Sequence, residues 1–208
     1  MKLILASTSP RRREILSLLG LSFEVIAPDF DEQLSPGRSV ENEVLDFAVG
    51  KAQSVARNHP GSMVVGSDTM ISINAVKVGK PDGVVDATRI LQLLSGQWHR
   101  IFTSVVIVDG AGGPGLSRVE EVRVKMRDYS DTEIEQYLAC NESLDKAGAY
   151  SIQGKGRNLI QFMSGDYLAA VGLPLKPIAD YLKSRDVVTP VDADRIYSEK
   201  SFKNWNTF

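Results

Sequence analysis

What most constrains this chain is an alternation of short β-branched runs with stretches of helical period. Leu3–Ala6, Phe23–Ala27, Met63–Gly66 and Phe102–Val108 read as strands, with Met70–Ile73 continuing the third or starting its partner. Ser9 suits an N-cap and Pro10 a first helical position, for a helix that ends near Gly20. Val44, Phe47, Ala48, Ala52 and Val55 recur at helical spacing within a second helix over Glu41–Arg57. Asp86 is read as the cap of a third helix ending at Gly96, and Ser130-x-x-Glu133 as the capping box of a fourth reaching about Cys140. A last helix follows Pro174 or Pro177.

Val122, Val124 and Met126 alternate with Arg123, Lys125 and Arg127, the period of a half-exposed strand. With Phe102–Val108 and a glycine-rich turn at Gly110–Gly115 they make a hairpin. Tyr150–Ile152 and Leu159–Met163 read as short β segments, and Gly165-Asp166-Tyr167 as a hairpin turn without a catalytic role. Hairpins interrupt the βα rhythm, so the expectation is a mixed α/β sheet. No internal repeat or linker divides the chain; the expected organisation is one domain over 1–186 and a loose, polar tail over 187–208.

Composition removes several function classes. A net charge of −2 provides no basic field for stable nucleic-acid binding, so affinity for phosphates must come from local arrangement. Met1–Ala6 is too short an apolar run to span a bilayer or act as a secretory signal, and a cytoplasmic protein with no membrane partner is expected. Cys140 is the one cysteine, so no intrachain disulfide can form. With only His59 and His99 beside it, a structural zinc site is not expected.

Several segments carry groups able to do chemistry. Ser7-Thr8-Ser9-Pro10-Arg11-Arg12-Arg13 delivers hydroxyls and guanidinium groups to a helix N-terminus, where an anion is favoured. The same segment also fits an ordinary N-cap followed by a solvated charged face. Lys51 is more informative, because its position three after Ala48 and four before Val55 puts an ammonium on the stripe the helix should bury. Burial of a charge is costly without a partner, so Lys51 either snorkels at the stripe's edge or points into a cleft at a phosphate or carboxylate. Asp68 ends a buried strand, where it could accept a proton from water, hold a metal, or merely cap a turn. Gly79-Lys80-Pro81 presents another cation. Glu32, with Asp29 and Asp31, offers hard oxygen ligands for a divalent ion or forms a solvated acidic loop. Gln153 could read a base edge through its amide, or sit satisfied in a flexible loop.

Taken together these pieces resemble the Maf family of nucleotide pyrophosphatases. The matching motifs are Ser7-x-Ser9-Pro10-Arg11-Arg12, Glu32, Lys51-Ala52, Gly66-Ser67-Asp68-Thr69, Lys80-Pro81, Asp145-Lys146-Ala147-Gly148-Ala149-Tyr150, Ile152-Gln153-Gly154, and Gly165-Asp166-Tyr167 with Val171-Gly172-Leu173-Pro174. They keep the family's order and spacing from residue 2 to about 183. The resemblance implies two lobes around a central cleft, similar to inosine-triphosphate pyrophosphatases. It implies attack by water on the α-phosphorus, releasing a monophosphate and pyrophosphate. It casts Asp68 as the proton acceptor and Arg12, Lys51 and Lys80 as phosphate-contacting cations, with Ser7 and Ser9 beside them. Glu32 with Asp68 is cast as the site of a magnesium, manganese or cobalt ion. The family branch acting on TTP and UTP is similar at its three selectivity positions, here Arg11, Thr69 and Gln153, whereas the branch preferring 7-methyl-GTP has tyrosine, glutamine and glutamate there. The resemblance also leaves room for a homodimer. Two departures are the form of the acidic turn that carries Glu32, Asp29-Phe30-Asp31-Glu32, and the tail beyond Ser184, which is not part of the motif set.

Two rival readings belong to other classes. A regulator of cell division could grip nucleotide without hydrolysing it, and a general phosphatase would release orthophosphate instead of pyrophosphate.

Overall fold

The structure is a computed structural model that describes residues 2–110 and 114–208. The middle of the expected Gly110–Gly115 turn therefore lies outside the described residues. The architecture is mixed α/β, with one seven-stranded sheet. Its strands are β1 (Lys2–Ala6), β2 (Glu24–Ile26), β3 (Ser62–Ile73), β4 (Val76–Val78), β5 (Trp98–Asp109), β6 (Pro114–Met126) and β7 (Ile160–Ser164), in the spatial order β2-β1-β3-β5-β6-β7 with β4 also on β3. The helices are α1 (Pro10–Ser17), α2 (Val40–Ala56), α3 (Gly83–Leu94), α4 (Asp131–Leu138), α5 (Tyr167–Val171), α6 (Leu175–Ser184) and α7 (Ala193–Ser198). Among the described residues, no helix is long and apolar enough to cross a membrane.

Alternation along the strands explains the two layers. Leu3 and Leu5 of β1, Met63 and Val65 of β3, and Val105 and Ile107 of β5 enter the larger core under α1, α3, α4 and α6. Ile4 and Ala6, Val64, and Val106 and Val108 face the other way, against Ala48, Ala52 and Val55 of α2. The strands read as continuous apolar runs because both faces are covered. On β3, Gly66 lets α2 come close: a Cβ there would lie 2.4 Å from the Ala48 carbonyl oxygen.

One edge of β3 is interrupted. Along the other edge β5 pairs antiparallel from Met63 to Ser72. On the interrupted edge β1 pairs parallel and ends its register at Val65, while β4 begins at Ile71. Among the described residues Gly66–Met70 have no strand partner there, and this gap separates the β1–β2 part of the sheet from the β4 hairpin.

Several boundaries differ from expectation. β3 is one strand through Ser67, Asp68 and Thr69, so of the two alternatives Met70–Ile73 continues it and does not start its partner. The helix assigned to an Asp86 cap starts at Gly83 after Asp82, and Asp86 instead accepts from the Asp82 amide at 3.1 Å. Ser9 occupies the N-cap position of α1 without a side-chain capping bond. Tyr150–Ile152 is not a strand, and the segment around it is held by two 3-10 turns. Asp166 does not turn a hairpin; its carboxylate caps α5 by accepting from Leu168 N at 2.9 Å. The stretch after Val187, expected to be loose, folds: α7 buries Ala193 and Ile196, and Trp205 stacks on Tyr167 with ring centroids 5.3 Å apart.

Candidate active site

The gap in the sheet opens into a cavity of about 560 Å³. Strand alternation sorts its walls. Residues 64, 66, 68 and 70 of β3 face α2, so Asp68 is aimed at the helix that carries Lys51. Ser67 and Thr69 face the opposite layer, toward α1 and the end of α5.

On the α2 side lies a three-member ion cluster. The Lys51 ammonium is 2.6 Å from Asp68 Oδ1 and 2.6 Å from Glu32 Oε1. The Lys51 and Asp68 side chains are only 7% and 8% exposed, and Glu32 is 43% exposed at the cavity mouth. A lysine on an apolar helical stripe is thus explained by two carboxylates waiting for it. Partial burial pushes the Glu32 carboxyl up, but the Lys51 hydrogen bond and the charges of Lys51, Lys80 and Arg12 outweigh burial and hold it below the ordinary carboxylate range.

On the α1 side Arg12 is the organiser. Its Nε donates to the Gly172 carbonyl at 2.8 Å, Nη2 to Thr69 Oγ1 at 3.2 Å, and Nη1 lies 3.5 Å from Ser7 Oγ. Ser67 Oγ donates to the same Gly172 carbonyl at 3.1 Å. Burial pushes the Arg12 guanidinium down from its ordinary value, against the pull of Asp68 and Glu32. Arginine begins so high that it keeps its charge. Ser7 Oγ also accepts from Ser9 N at 3.2 Å, which shapes the turn leading into α1.

The remaining expected residues line the same cavity. Lys80 enters from the turn after β4 and makes no ion pair among the described residues. Arg11 reaches Asp145 Oδ2 at 3.3 Å, and Lys146 reaches Asp145 Oδ1 at 2.5 Å. Gln153 approaches from the far wall with its Oε1 buried and without a partner among the described residues. Ser7, Ser9, Arg11, Arg12, Glu32, Lys51, Asp68, Thr69, Lys80 and Gln153 therefore line one cavity, although they come from six separate stretches of chain, whereas Arg13, Asp29 and Asp31 lie outside its lining.

Sequence reasoning missed the groups that hold these residues in place. Asp145 and the Gly172 carbonyl lay within recognised motifs but had no assigned work. The loop carrying Glu32 is pinned on both sides. Phe30 packs so tightly over Gly50 that a Cβ on Gly50 would be 2.1 Å from the ring, and it meets Phe47 edge-on at 5.9 Å. Further along, the buried Glu43 carboxylate accepts from the Ser35 amide and from Lys77. Glu43 lies four residues before Phe47, so the periodicity that exposed Lys51 would also have exposed this charge.

A cleft with two carboxylates and a lysine on one wall, arginines on the other and an unpaired amide oxygen at the far end belongs to a protein that handles a polyanion bearing a polar head. Comparison with known proteins then gives the family. The model of Maf-like protein matches residues 2–185, and the chain belongs to that family. It is 42% identical to the dTTP/UTP pyrophosphatase of Dictyoglomus thermophilum over 175 residues, covering 84% of this chain and 91% of that protein. It is 39% identical to a dTTP/UTP pyrophosphatase of Bacillus cereus over 186 residues, covering 89% and 96%. Among solved structures, the nucleoside-triphosphatase / dITP/XTP pyrophosphatase of Mycobacterium abscessus covers 90% of this chain and 97% of its own, with 17% identity and a TM-score of 0.45.

Proposed function

We propose that this protein is a nucleoside triphosphate pyrophosphatase that hydrolyses TTP and UTP to the monophosphate and pyrophosphate. The observation that carries the reading is the Asp68–Lys51–Glu32 cluster facing Arg12 across a cavity wide enough for a nucleotide. The relatives named dTTP/UTP pyrophosphatase support the substrate class.

In this reading the triphosphate lies between the two walls. Arg12, Lys51 and Lys80 meet its oxygens, with Ser7 and Ser9 at the turn into α1, and neutralise charge that grows as the leaving group departs. Asp68 orients a water and takes its proton as the water oxygen bonds to the α-phosphorus. The bond between that phosphorus and the α,β-bridging oxygen breaks, and pyrophosphate leaves. Lys51 holds the Asp68 carboxylate in one orientation, which serves in-line attack.

The reading includes a divalent cation, magnesium, manganese or cobalt. Glu32 Oε1 and Asp68 Oδ1 are taken up by the Lys51 ammonium, 2.6 Å from each, which leaves the second oxygen of each carboxylate as the donors that would hold the ion. Magnesium is usually held by one or two carboxylates together with substrate phosphates and water, so this donor set fits an ion that arrives with the nucleotide. Bound there by Glu32 and Asp68, the ion would neutralise phosphate charge.

Base selection falls to Arg11, Thr69 and Gln153. With its amide as placed, Gln153 offers a buried acceptor that lacks a donor. Uracil and thymine carry an N3–H donor at the corresponding edge, whereas cytosine presents a bare acceptor there. A buried acceptor left unpaired is costly, and that cost makes the discrimination. The lone Cys140 thiol fits a cytoplasmic setting. For the assembly, the family resemblance points to a homodimer, which sedimentation of the purified protein would check.

The deciding experiment is a panel of nucleoside triphosphates assayed for pyrophosphate and orthophosphate, with the metal varied. Pyrophosphate release from TTP and UTP is expected. Orthophosphate as the first product would make the protein a phosphatase, and no turnover with any metal would make it a binding protein.

A further inference from the structure

We infer that the segment beyond the family match is a strap that sets the position of the base-reading glutamine, with Asn204 as its positioning residue. The inference rests on the proposed role of Gln153. The family match ends at residue 185, yet the chain continues through α7 and a short 3-10 turn at Trp205–Thr207.

The amide of Asn204 donates from Nδ2 to two backbone carbonyls, Ile152 O at 3.3 Å and Gly154 O at 3.1 Å. Those carbonyls belong to the residues on either side of Gln153, so one side chain holds the Ile152–Gln153 peptide and the Gly154–Lys155 peptide just beyond it. Asn204 reaches them from a left-handed backbone conformation with φ 62°, one that asparagine and glycine adopt at little cost. Neighbouring contacts keep the strap in place. Arg157, at the downstream end of the same loop, donates to Thr207 Oγ1 at 2.6 Å and to the Thr207 carbonyl, and its guanidinium lies 4.1 Å over the Phe208 ring. Trp205 is buried against Tyr167, whose hydroxyl donates to the Lys203 carbonyl.

Gln153 lies in no strand or helix, and beyond it the loop is also held by Glu142, whose Oε2 accepts from Lys155 N at 2.8 Å. A glutamine that must meet N3–H and refuse a bare ring nitrogen works only if it is held to within about 0.5 Å of its productive position. Within the described residues the strap makes both of its side-chain bonds to the carbonyls that flank Gln153 through Asn204 alone.

The test is Asn204→Gly in the full chain, because glycine keeps the left-handed backbone and removes only the amide. Pyrophosphate release is measured with UTP and CTP, inhibition with inorganic tripolyphosphate, and amide exchange over residues 151–157. The UTP-over-CTP ratio of kcat/KM is expected to fall by about fivefold, through KM for UTP. Tripolyphosphate inhibition should stay unchanged, since that probe touches only the phosphate wall, and amides in 151–157 should exchange faster. In a Gln153→Ala background the Asn204 change should lower the ratio no further. If Asn204→Gly does not fold, Asn204→Asp carries the test, because it keeps the shape and turns a donor into an acceptor facing two carbonyls. Full retention of the ratio by a folded variant overturns the strap and leaves the proposed function standing. A parent protein that does not prefer UTP to CTP overturns the base-reading role itself, and the strap falls with it.

Discussion

Replacing Lys51 by methionine tests whether the buried cluster is a coupled electrostatic unit. Methionine keeps the length and apolar stem of the side chain, so the packing of α2 on β3 changes little and the lost group is the ammonium. Asp68 then keeps its place in a site only 8% exposed, without the cation 2.6 Å away. Removing one member of a buried pair costs about 3–5 kcal/mol, because the survivor stays buried and unpaired. Glu32 adds little to this cost: its side chain is 43% exposed and water replaces the lost partner. Asp68 also borders a water-accessible cavity, so a loss of about 3 kcal/mol, at the lower end of that range, is expected at neutral pH. In urea unfolding this is a fall of roughly 1 M in the midpoint at unchanged slope. Adding Asp68→Asn removes the stranded charge, and the double variant should recover about 2 kcal/mol although it still lacks activity. A double variant no more stable than Lys51→Met alone would refute the coupling, and with it the explanation of a lysine on an apolar stripe.

Three further outcomes are expected. Asp68→Asn should lower pyrophosphate release by about 10²- to 10⁴-fold with an unchanged circular dichroism spectrum, the range for losing a general base; near-normal turnover would take Asp68 out of that role. Burial pushes His99 down to about 4 from 6.5, so the fold holds it neutral while the unfolded chain takes up a proton below pH 6.5. Stability is then full above pH 6.5 and is lost as pH falls toward 4, by roughly 3 kcal/mol in total. A His99→Asn variant should show a flatter midpoint-versus-pH curve over that window, and parallel curves would place the acid lability elsewhere. Gly50→Ala puts a methyl 2.1 Å from the Phe30 ring and displaces the loop that carries Glu32. Turnover should drop roughly tenfold or more while the fold persists, and unchanged kinetics would free Glu32 from that anchor.

The parts of this site that were legible in the sequence obey local rules. The stripe of α2 made Lys51 conspicuous because a helix of period 3.6 leaves no doubt about which face is buried. Strand and helix order followed from the same periodicities, and Pro174 marked the start of α6. Asp86 and Asp166 were misplaced by local contacts, with Asp82 N and Leu168 N, but two other misreadings share one cause, a contact distant in sequence that overrides a local signal. Ser67, Asp68 and Thr69 looked like the end of a strand because nothing local pays for polar groups in a sheet, but Gly172, Lys51 and Arg12 come from up to 105 residues away to satisfy them. The polar stretch after Val187 looked unstructured because its few apolar residues are spread out, yet Ile196 and Trp205 each find the same core.

The interrupted edge of β3 unites these observations. A strand paired along that edge would set its own side chains beside Asp68 and fill the space that is now the cavity. β1 ends beside Val65 and β4 begins beside Ile71, so the carboxylate keeps the rigidity of a strand paired to β5 at Ser104 while one side stays open to a ligand. A loop could supply the openness without the precision, and a central strand the precision without the openness. The same gap means that cations come in from α1, from α2 and from the turn after β4, because among the described residues no strand lies beside Gly66–Met70 to carry them. That is why the residues of this site are scattered along the chain and converge only in the folded protein.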